Sequence, residues 1–514
     1  MPDKTIEISL LRAVISDLLE PFRRPALAAV SGASLALAFP YASLWPIAFV
    51  GVAPVLSAVD GAGPLSASLL GWLAGAVFFA VLAYWIGVFG AAVIALFIVV
   101  MGLYFALFAL GARWALANLS RNWRLVAIPA LWVEIEYARS FGTYSFPWGN
   151  IGESITNLPL MQLASIIGGF GLSFIAVMTG VIVYEVKKSG VLANLPAVSL
   201  AVVFVLFWYG WGLHRASAVV PSEGRKIAVL QGNVPQEIKM GGPFYVADQK
   251  ALYLKMTREA ARKRPNIIAW PESAVPVEIR EEAAFLDEVR KAAGGADVIL
   301  GAFDRDRKGI YNAAFLLKGT SRAGVTVAND FPAYRKIHLV PWGEFTPLRT
   351  LSAKVNPLAG LGEDQTPGED LAPLQVEGKK IATLICFESA YSRLAAQMVR
   401  AGARVGLVIT NDGWFGKTSA AEQHFQLARF RAVENGIYAV QAANTGISGI
   451  IDPTGRVVAR TELNERAILA GRIGYSNGLT PYARLADFLP FAYSVIIGAA
   501  IAAYSGGKRK TLVP

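Results

Sequence analysis

Cysteine is almost missing from this chain, with one residue, Cys386, among 514. A lone thiol forms no internal disulfide, so the fold has no covalent staple. Charge is scarce too, at 17% of residues, where soluble domains carry roughly a quarter. That deficit argues against an ordinary soluble protein and points to a membrane chain. Acidic residues are the scarcer sign, 37 against 48 Lys and Arg, for a formal charge of +11. No nucleic-acid signature accompanies the surplus, and basic residues in a membrane protein mostly mark cytoplasmic loops.

Between Pro25 and Ala112 the only charged residue is Asp60. The run far exceeds the ~20 apolar residues that cross a bilayer. Glycine and proline punctuation predicts helices over 25–41, 44–59, 66–87, 90–112, 123–141, 159–186 and 193–214, with an eighth over 485–505. The first two are short enough to form one hairpin. Arg23, Arg24, Arg113, Arg121, Arg124, Lys187, Lys188 and the tail Lys508, Arg509 and Lys510 fall on one side, while the alternate loops hold few positives, Arg139 chief among them. The positive-inside rule makes that side cytoplasmic. The expected organisation is a cytoplasmic segment 1–24, a seven-helix membrane domain 25–214, an extracytoplasmic domain 215–484, an eighth span 485–505 and a basic cytoplasmic tail 506–514. Residues 1–24 are mixed in charge and lack a small-residue cleavage site, so they are expected to form an interfacial helix and not a signal peptide.

The block from Glu223 to Ile473 is richer in charge. KIAVLQGNV, NIIAWPES, DVILGAFD, NAAFLLK, KIATLICFE, GLVITNDG and AILAGRI are predicted buried strands. FYVADQKALYLKMTREAARKR, AAFLDEVRKAAG and EQHFQLARFRAVENG carry helical patterns between them, and DPTGR is a predicted hairpin turn. Alternating strands and helices imply an α/β domain.

Three apolar runs end in reactive groups: AWPES with Glu272, YRKIHLVPWGEF with Lys336 and Glu344, and LICFES with Cys386 and Glu388. Each has an ordinary structural explanation when taken alone, and buried cysteines are usually packing. Together they supply a base, an oxyanion clamp and a nucleophile. A Cys–His dyad is the alternative. His338 lies two residues beyond Lys336, on the same face of an extended strand.

Glu272, Lys336 and Cys386, within WPES, RKIHLVPWGE and LICFE, resemble the Glu-Lys-Cys triad of the carbon–nitrogen hydrolase (nitrilase) superfamily. SFPWGNIG, QGNVPQ, HLVPWGEFTP and NDGWFG, together with the membrane helices, resemble its membrane branch, the apolipoprotein N-acyltransferase family. The resemblance implies a polytopic α-helical domain of about eight spans joined to an αββα sandwich. It also implies acyl transfer from a phospholipid, typically phosphatidylethanolamine, through a cysteine thioester to the α-amino group of a diacylglyceryl-cysteine on an apolipoprotein. No cofactor or metal is implied. Cys386 is the implied nucleophile, Glu272 the base and Lys336 the oxyanion clamp, with the Phe387 N–H as a second donor. Glu344 is implied to support the lysine. Glu388 is either a second supporting acid or a structural ion-pair partner.

Asn411, Gly413, Trp414, Phe415 and Gly416 form an expected lid loop, with aromatic rings that suit the membrane interface. The loop 140–159 is expected to border the acyl-chain entrance, its Trp148 and Phe146 serving there or as plain interfacial anchors. Glu136 and Arg139 are expected to pair at helical i, i+3 spacing near Glu134. The sequence departs from the resembled pattern at Phe387, where a tyrosine is common, and at Met240, where an aromatic residue is common. The membrane helices are expected to keep the chain monomeric in a bacterial inner membrane. Two rival readings are a membrane-bound amidase with the same triad and a transporter whose α/β domain is structural. The near absence of charge in the first four helices offers the transporter little of an ion path.

Overall fold

A computed structural model describes residues 4–217, 224–236, 243–319, 331–347, 363–476 and 478–510. Helix α1 runs Lys4–Leu37 without a break through Pro21 and Pro25, so the expected cytoplasmic segment and first span form one helix. A 3-10 turn (Trp45–Phe49) leads to α2 (Ala53–Val59), followed by α3 (Pro64–Leu82), α4 (Ala91–Asn118), α5 (Arg121–Ala138), α6 (Leu158–Met161), α7 (Ala164–Ser189) and α8 (Leu195–Ser217). Among the described residues five helices are long and apolar enough to cross a membrane: α3, α4, α7, Leu192–Ser217, and Leu489–Gly506 near the end of the chain. The eight predicted segments are all helical, yet eight spans do not emerge on these grounds. Trp45–Val59 is too short, and α5 carries Arg121, Arg124, Glu134 and Glu136.

Small residues let the first helices approach closely. A Cβ on Gly32 of α1 would lie 2.1 Å from the Ala74 carbonyl oxygen of α3, and one on Gly71 of α3 would lie 2.3 Å from Ala109 Cβ of α4.

The second part builds two six-stranded sheets. Its elements are β1 (Arg225–Gln231), α9 (Pro243–Ala261), β2 (Ile267–Ala269), α10 (Ala283–Ala293), β3 (Asp297–Asp306), β4 (Gly309–Leu317), β5 (Ala333–Arg335), β6 (Leu374–Val376) and β7 (Lys379–Ile385). There follow α11 (Ser392–Arg400), β8 (Ala403–Thr410), α12 (Ala420–Asn435), β9 (Tyr438–Ala443), β10 (Gly449–Ile451), β11 (Val457–Arg460) and β12 (Ala467–Ile473). Helices α13 (Pro481–Leu485) and α14 (Leu489–Lys510) close the chain. The strand orders are β12-β1-β2-β3-β4-β5 and β11-β10-β9-β8-β7-β6, with parallel centres β1-β2-β3 and β7-β8-β9. All seven predicted strands and the three predicted helices form.

Alternation along β1 explains the layering. Ile227 and Val229 join the core shared with Ile381 and Leu384 of β7. Ala228 and Leu230 face the other way, into the core with Tyr253 of α9 and Phe285 of α10. The result is helix, sheet, sheet, helix. The DPTGR turn links β10 to β11, with Asp452 Oδ1 accepting from Thr454 N and Arg456 N at 2.8 and 3.1 Å.

A buried ion triad joins the two parts. Arg431 of α12 lies 2.6 Å from Glu153, in the loop after α5, and 2.9 Å from Glu434. Glu434 also accepts the Gly169 N–H at 2.9 Å, just after α7 breaks at Gly168 (φ +70°). A side chain at Gly168 would meet the Tyr482 ring at 2.3 Å, so the break and the close contact both call for glycine.

Candidate active site

The three residues picked from the sequence converge, each just past the end of a strand. Glu272 follows β2 after Trp270 and Pro271, Lys336 follows β5, and Cys386 follows β7. The backbone turns sharply beside Glu272, at Cys386, and between Lys336 and Glu344. Ser273, Trp342 and Cys386 all have positive φ, at +45°, +60° and +54°. Such non-glycine conformations persist only where surroundings enforce them, and they cluster at functional sites.

Lys336 Nζ lies 2.8 Å from Glu344 Oε1 and 3.3 Å from Glu272 Oε1, and all three side chains are largely buried. Asn312 of β4 donates to both carboxylates, at 2.7 Å to Glu272 and 2.9 Å to Glu344. The Asn411 N–H binds Glu272 Oε2 at 2.8 Å, and the Val340 N–H binds Glu344 Oε2 at 2.8 Å. Burial pulls the Lys336 pKa down, but Glu344 and Glu272 outweigh it and hold the ammonium above the ordinary lysine range. Burial pushes the Cys386 thiol well above its usual range, Glu272 adds to this and Lys336 opposes it. The resting thiol is therefore protonated and needs a base beside it.

Glu388 forms a clasp. Its Oε1 accepts from Tyr334 Oη at 2.9 Å, Ile337 N at 2.6 Å and His338 N at 3.2 Å, and its Oε2 accepts from Ile385 N at 2.8 Å. Burial raises it to about 7, against the pull of the Ile385 and Ile337 N–H groups. The clasp binds the residues beside Lys336 to the residue before Cys386. Glu388→Gln should set an amide donor against one of these donors. We expect a loss of about 1–3 kcal/mol in unfolding free energy, measured by denaturant titration, and slower alkylation of Cys386.

His338 stacks on Tyr391 with ring centroids 3.8 Å apart. Burial, then Lys336, lower its pKa to about 4, which makes it a weak base for the rival dyad.

An apolar cavity of about 420 Å³ opens at Cys386. Its wall includes Phe387, Trp148, Phe146, Phe415 and Trp342, and it runs along Val93, Leu96, Phe97 and Val100 of α4. Trp148 is no exposed anchor. It is buried, stacks on Phe387 and donates to Gln423 Oε1 at 2.8 Å. Glu136 and Arg139 both brace its loop. Glu136 accepts the Ile151 N–H at 2.7 Å, and Arg139 donates to the Trp148 carbonyl at 2.8 Å and to Asn150 Oδ1 at 3.0 Å. Trp414 stacks on Phe89, and Phe415 packs on Trp85 with centroids 4.7 Å apart, so both lid rings meet the Tyr84–Phe89 turn between α3 and α4. Gly413 and Gly416 flank these rings, and Gly416 adopts φ +56°. Met240 lies outside the described residues.

Sequence reading missed Asn312, whose signal is a lone amide inside the apolar run YNAAFLL. It also missed His424, which lines the cavity from α12.

Two sheets flanked by helices, with a carboxylate, an ammonium and a thiol at their strand ends, define a carbon–nitrogen hydrolase domain. A family model described as "Carbon-nitrogen hydrolase" matches residues 226–476, and one for the "Apolipoprotein N-acyltransferase N-terminal domain" matches residues 31–182. An apolipoprotein N-acyltransferase of Geobacter metallireducens is 35% identical over 521 residues, covering 96% of this chain and 97% of that protein. One of Shewanella oneidensis is 32% identical over 492 residues, covering 90% and 92%. A carbon–nitrogen hydrolase structure from Helicobacter pylori aligns at 16% identity with a TM-score of 0.38, covering 49% of this chain and 90% of that one. The chain belongs to the apolipoprotein N-acyltransferase family. With five long apolar helices among its described residues, it is a multi-pass membrane protein.

Proposed function

We propose that the chain moves an acyl group from a phospholipid, phosphatidylethanolamine being the expected donor, to the α-amino group of a lipoprotein's diacylglyceryl-cysteine. The observation that carries this reading is the apolar cavity that runs from Cys386 along α4. A small amide needs no such channel, and family membership likewise disfavours the amidase.

In the first half-reaction Glu272 takes the Cys386 proton as sulfur attacks the ester carbonyl. Lys336 and the Phe387 N–H hold the oxyanion. The intermediate collapses, the C–O bond breaks, and Glu272 returns the proton to the departing lysophospholipid hydroxyl. In the second half-reaction the lipoprotein amine attacks the thioester. Glu272 takes the amine proton and hands it to the leaving thiolate. Glu344 keeps Lys336 charged and aligned, Asn312 holds Glu344 and Glu272 in place, and Phe415 and Trp414 keep water from the waiting thioester. The charge pattern of the loops supports an extracytoplasmic catalytic domain with cytoplasmic termini in an inner membrane. The chain acts as a monomer in this reading.

The test is mass spectrometry of a diacylglyceryl-cysteine peptide incubated with enzyme and phospholipid. The expected product carries one acyl chain on its amine, and hydrolysis without transfer would overturn the proposal. Val93→Trp should fill the channel. Transfer from long-chain donors should then fall by about tenfold or more, while short-chain donors are spared, as read from initial rates.

A further inference from the structure

Three consecutive residues where β8 runs out each touch a different part of the site. The Thr410 hydroxyl donates to Asp412 Oδ1 at 2.8 Å and is close enough to the Cys386 thiol to favour its thiolate. The Asn411 N–H binds Glu272. Asp412 Oδ1 also lies 2.8 Å from His424 Nδ1, and His424 Nε2 lies 3.0 Å from the Cys386 carbonyl oxygen. A chain of hydrogen bonds results, running from Thr410 beside the thiol through Asp412 and His424 to the Cys386 backbone. The Asp412 and His424 side chains are fully buried.

Counting donors and acceptors narrows the state of the histidine. A carbonyl oxygen only accepts, so Nε2 carries a proton. Asp412 Oδ1 already accepts the Thr410 hydroxyl, and where it accepts from the ring as well, Nδ1 carries a proton too. A neutral imidazole has one N–H and cannot serve both. We propose that His424 is a doubly protonated imidazolium that pins the Cys386 carbonyl and, through Asp412, ties the nucleophile's turn to the base of the lid loop.

The surroundings support a cation. Burial works against the charge, but Asp412 outweighs it and keeps the ring above the ordinary histidine range. Glu272, reaching in from the strand end after β2, acts in the same sense. The Cys386 thiol stands on the turn after β7, and the Trp148 ring covers the imidazole at 5.5 Å. Thr410 has one hydroxyl proton. When the thiolate forms, that proton turns from Asp412 to sulfur, and His424 remains the donor that holds Asp412. His424 binds backbone and not a reacting atom, so it is a positioning residue. Asp412 and Phe415 share one 3-10 turn. A shift of Phe415 at the cavity is therefore transmitted to Cys386 through two hydrogen bonds.

The positioning role rests on Cys386 as acyl carrier, whereas the protonation state does not. The chain holds only three histidines, so ¹⁵N-histidine spectra of the full chain in lipid nanodiscs can be assigned with His214→Gln and His338→Gln. Two protonated ring nitrogens on His424 at pH 7 are expected. One bare nitrogen would overturn the proposal by placing the proton on Asp412. The second measurement is iodoacetamide alkylation of the only thiol across pH. Removing the cation in His424→Gln should move the rise to higher pH and slow alkylation near pH 7 by about tenfold, one pKa unit. An unchanged profile in folded His424→Gln would overturn the positioning role. The nitrogen shifts read the resting ring alone, so their failure is separate from any failure of the thioester chemistry.

Discussion

Incubated with phospholipid alone, the wild-type chain should gain the mass of one acyl group, and Cys386→Ala should gain none. The adduct should map to the peptide bearing Cys386 and be released by neutral hydroxylamine, as a thioester is. With a single cysteine in the chain, no second thiol can supply the signal. Overall transfer by Cys386→Ala should fall by about 10⁴-fold or more, because losing the attacking atom removes the covalent route altogether. Peptide acylation at a rate near wild type in Cys386→Ala would refute the assignment. The buried thiol is protonated at rest, so thioester formation should depend on Glu272. Glu272→Gln should block the acyl adduct while leaving Cys386 open to slow alkylation at high pH.

Lys336→Met should produce the second large effect, on two observables at once. Loss of an oxyanion donor costs about 10²–10³ in kcat. The same change removes the buried ammonium from beside Glu272 and Glu344. Breaking a buried ion pair in this way costs about 3–5 kcal/mol. Buried carboxylates that lose this neighbouring charge regain stability by taking up protons, so the thermal midpoint of Lys336→Met should rise as pH is lowered toward 5. Adding Glu344→Gln should restore part of that stability at neutral pH and none of the activity. Recovery of activity in the double variant would show that Lys336 matters only as a counter-charge.

Much of this architecture was legible in the sequence for simple physical reasons. Strands such as KIATLI are buried on both faces and read as apolar runs. Glu272, Lys336 and Cys386 stood out because each interrupts such a run. Strands β5, β6, β10 and β11, of three or four residues, carry little period of their own, and together with β9 they lie outside the predicted set. Glu136 and Arg139 sit at a spacing that suggests a helical pair, but spacing says nothing of the loop that folds back over them and takes up their hydrogen bonds. Trp148 illustrates the same limit. Indole suits a membrane interface by composition, and only the contact with Phe387 and the bond to Gln423 reveal a buried wall. Length and apolarity among the described residues support five spans and leave the count of about eight without confirmation. Helix α5 is a helix, but its four charges separate it from the five long apolar ones.

The cavity beside Cys386 has a face of α4 as its far wall, and Leu96, Val100 and neighbouring Leu103 on that helix are exposed. An acyl donor that arrives along this wall never leaves the bilayer. For such an enzyme, concentration is measured per unit of membrane area. Added inert lipid dilutes its substrate even when the volume of the sample and the total amount of donor stay fixed. Rate laws written in molar units would report a KM that changes with the detergent or vesicle chosen, and surface mole fraction is the variable that makes them agree.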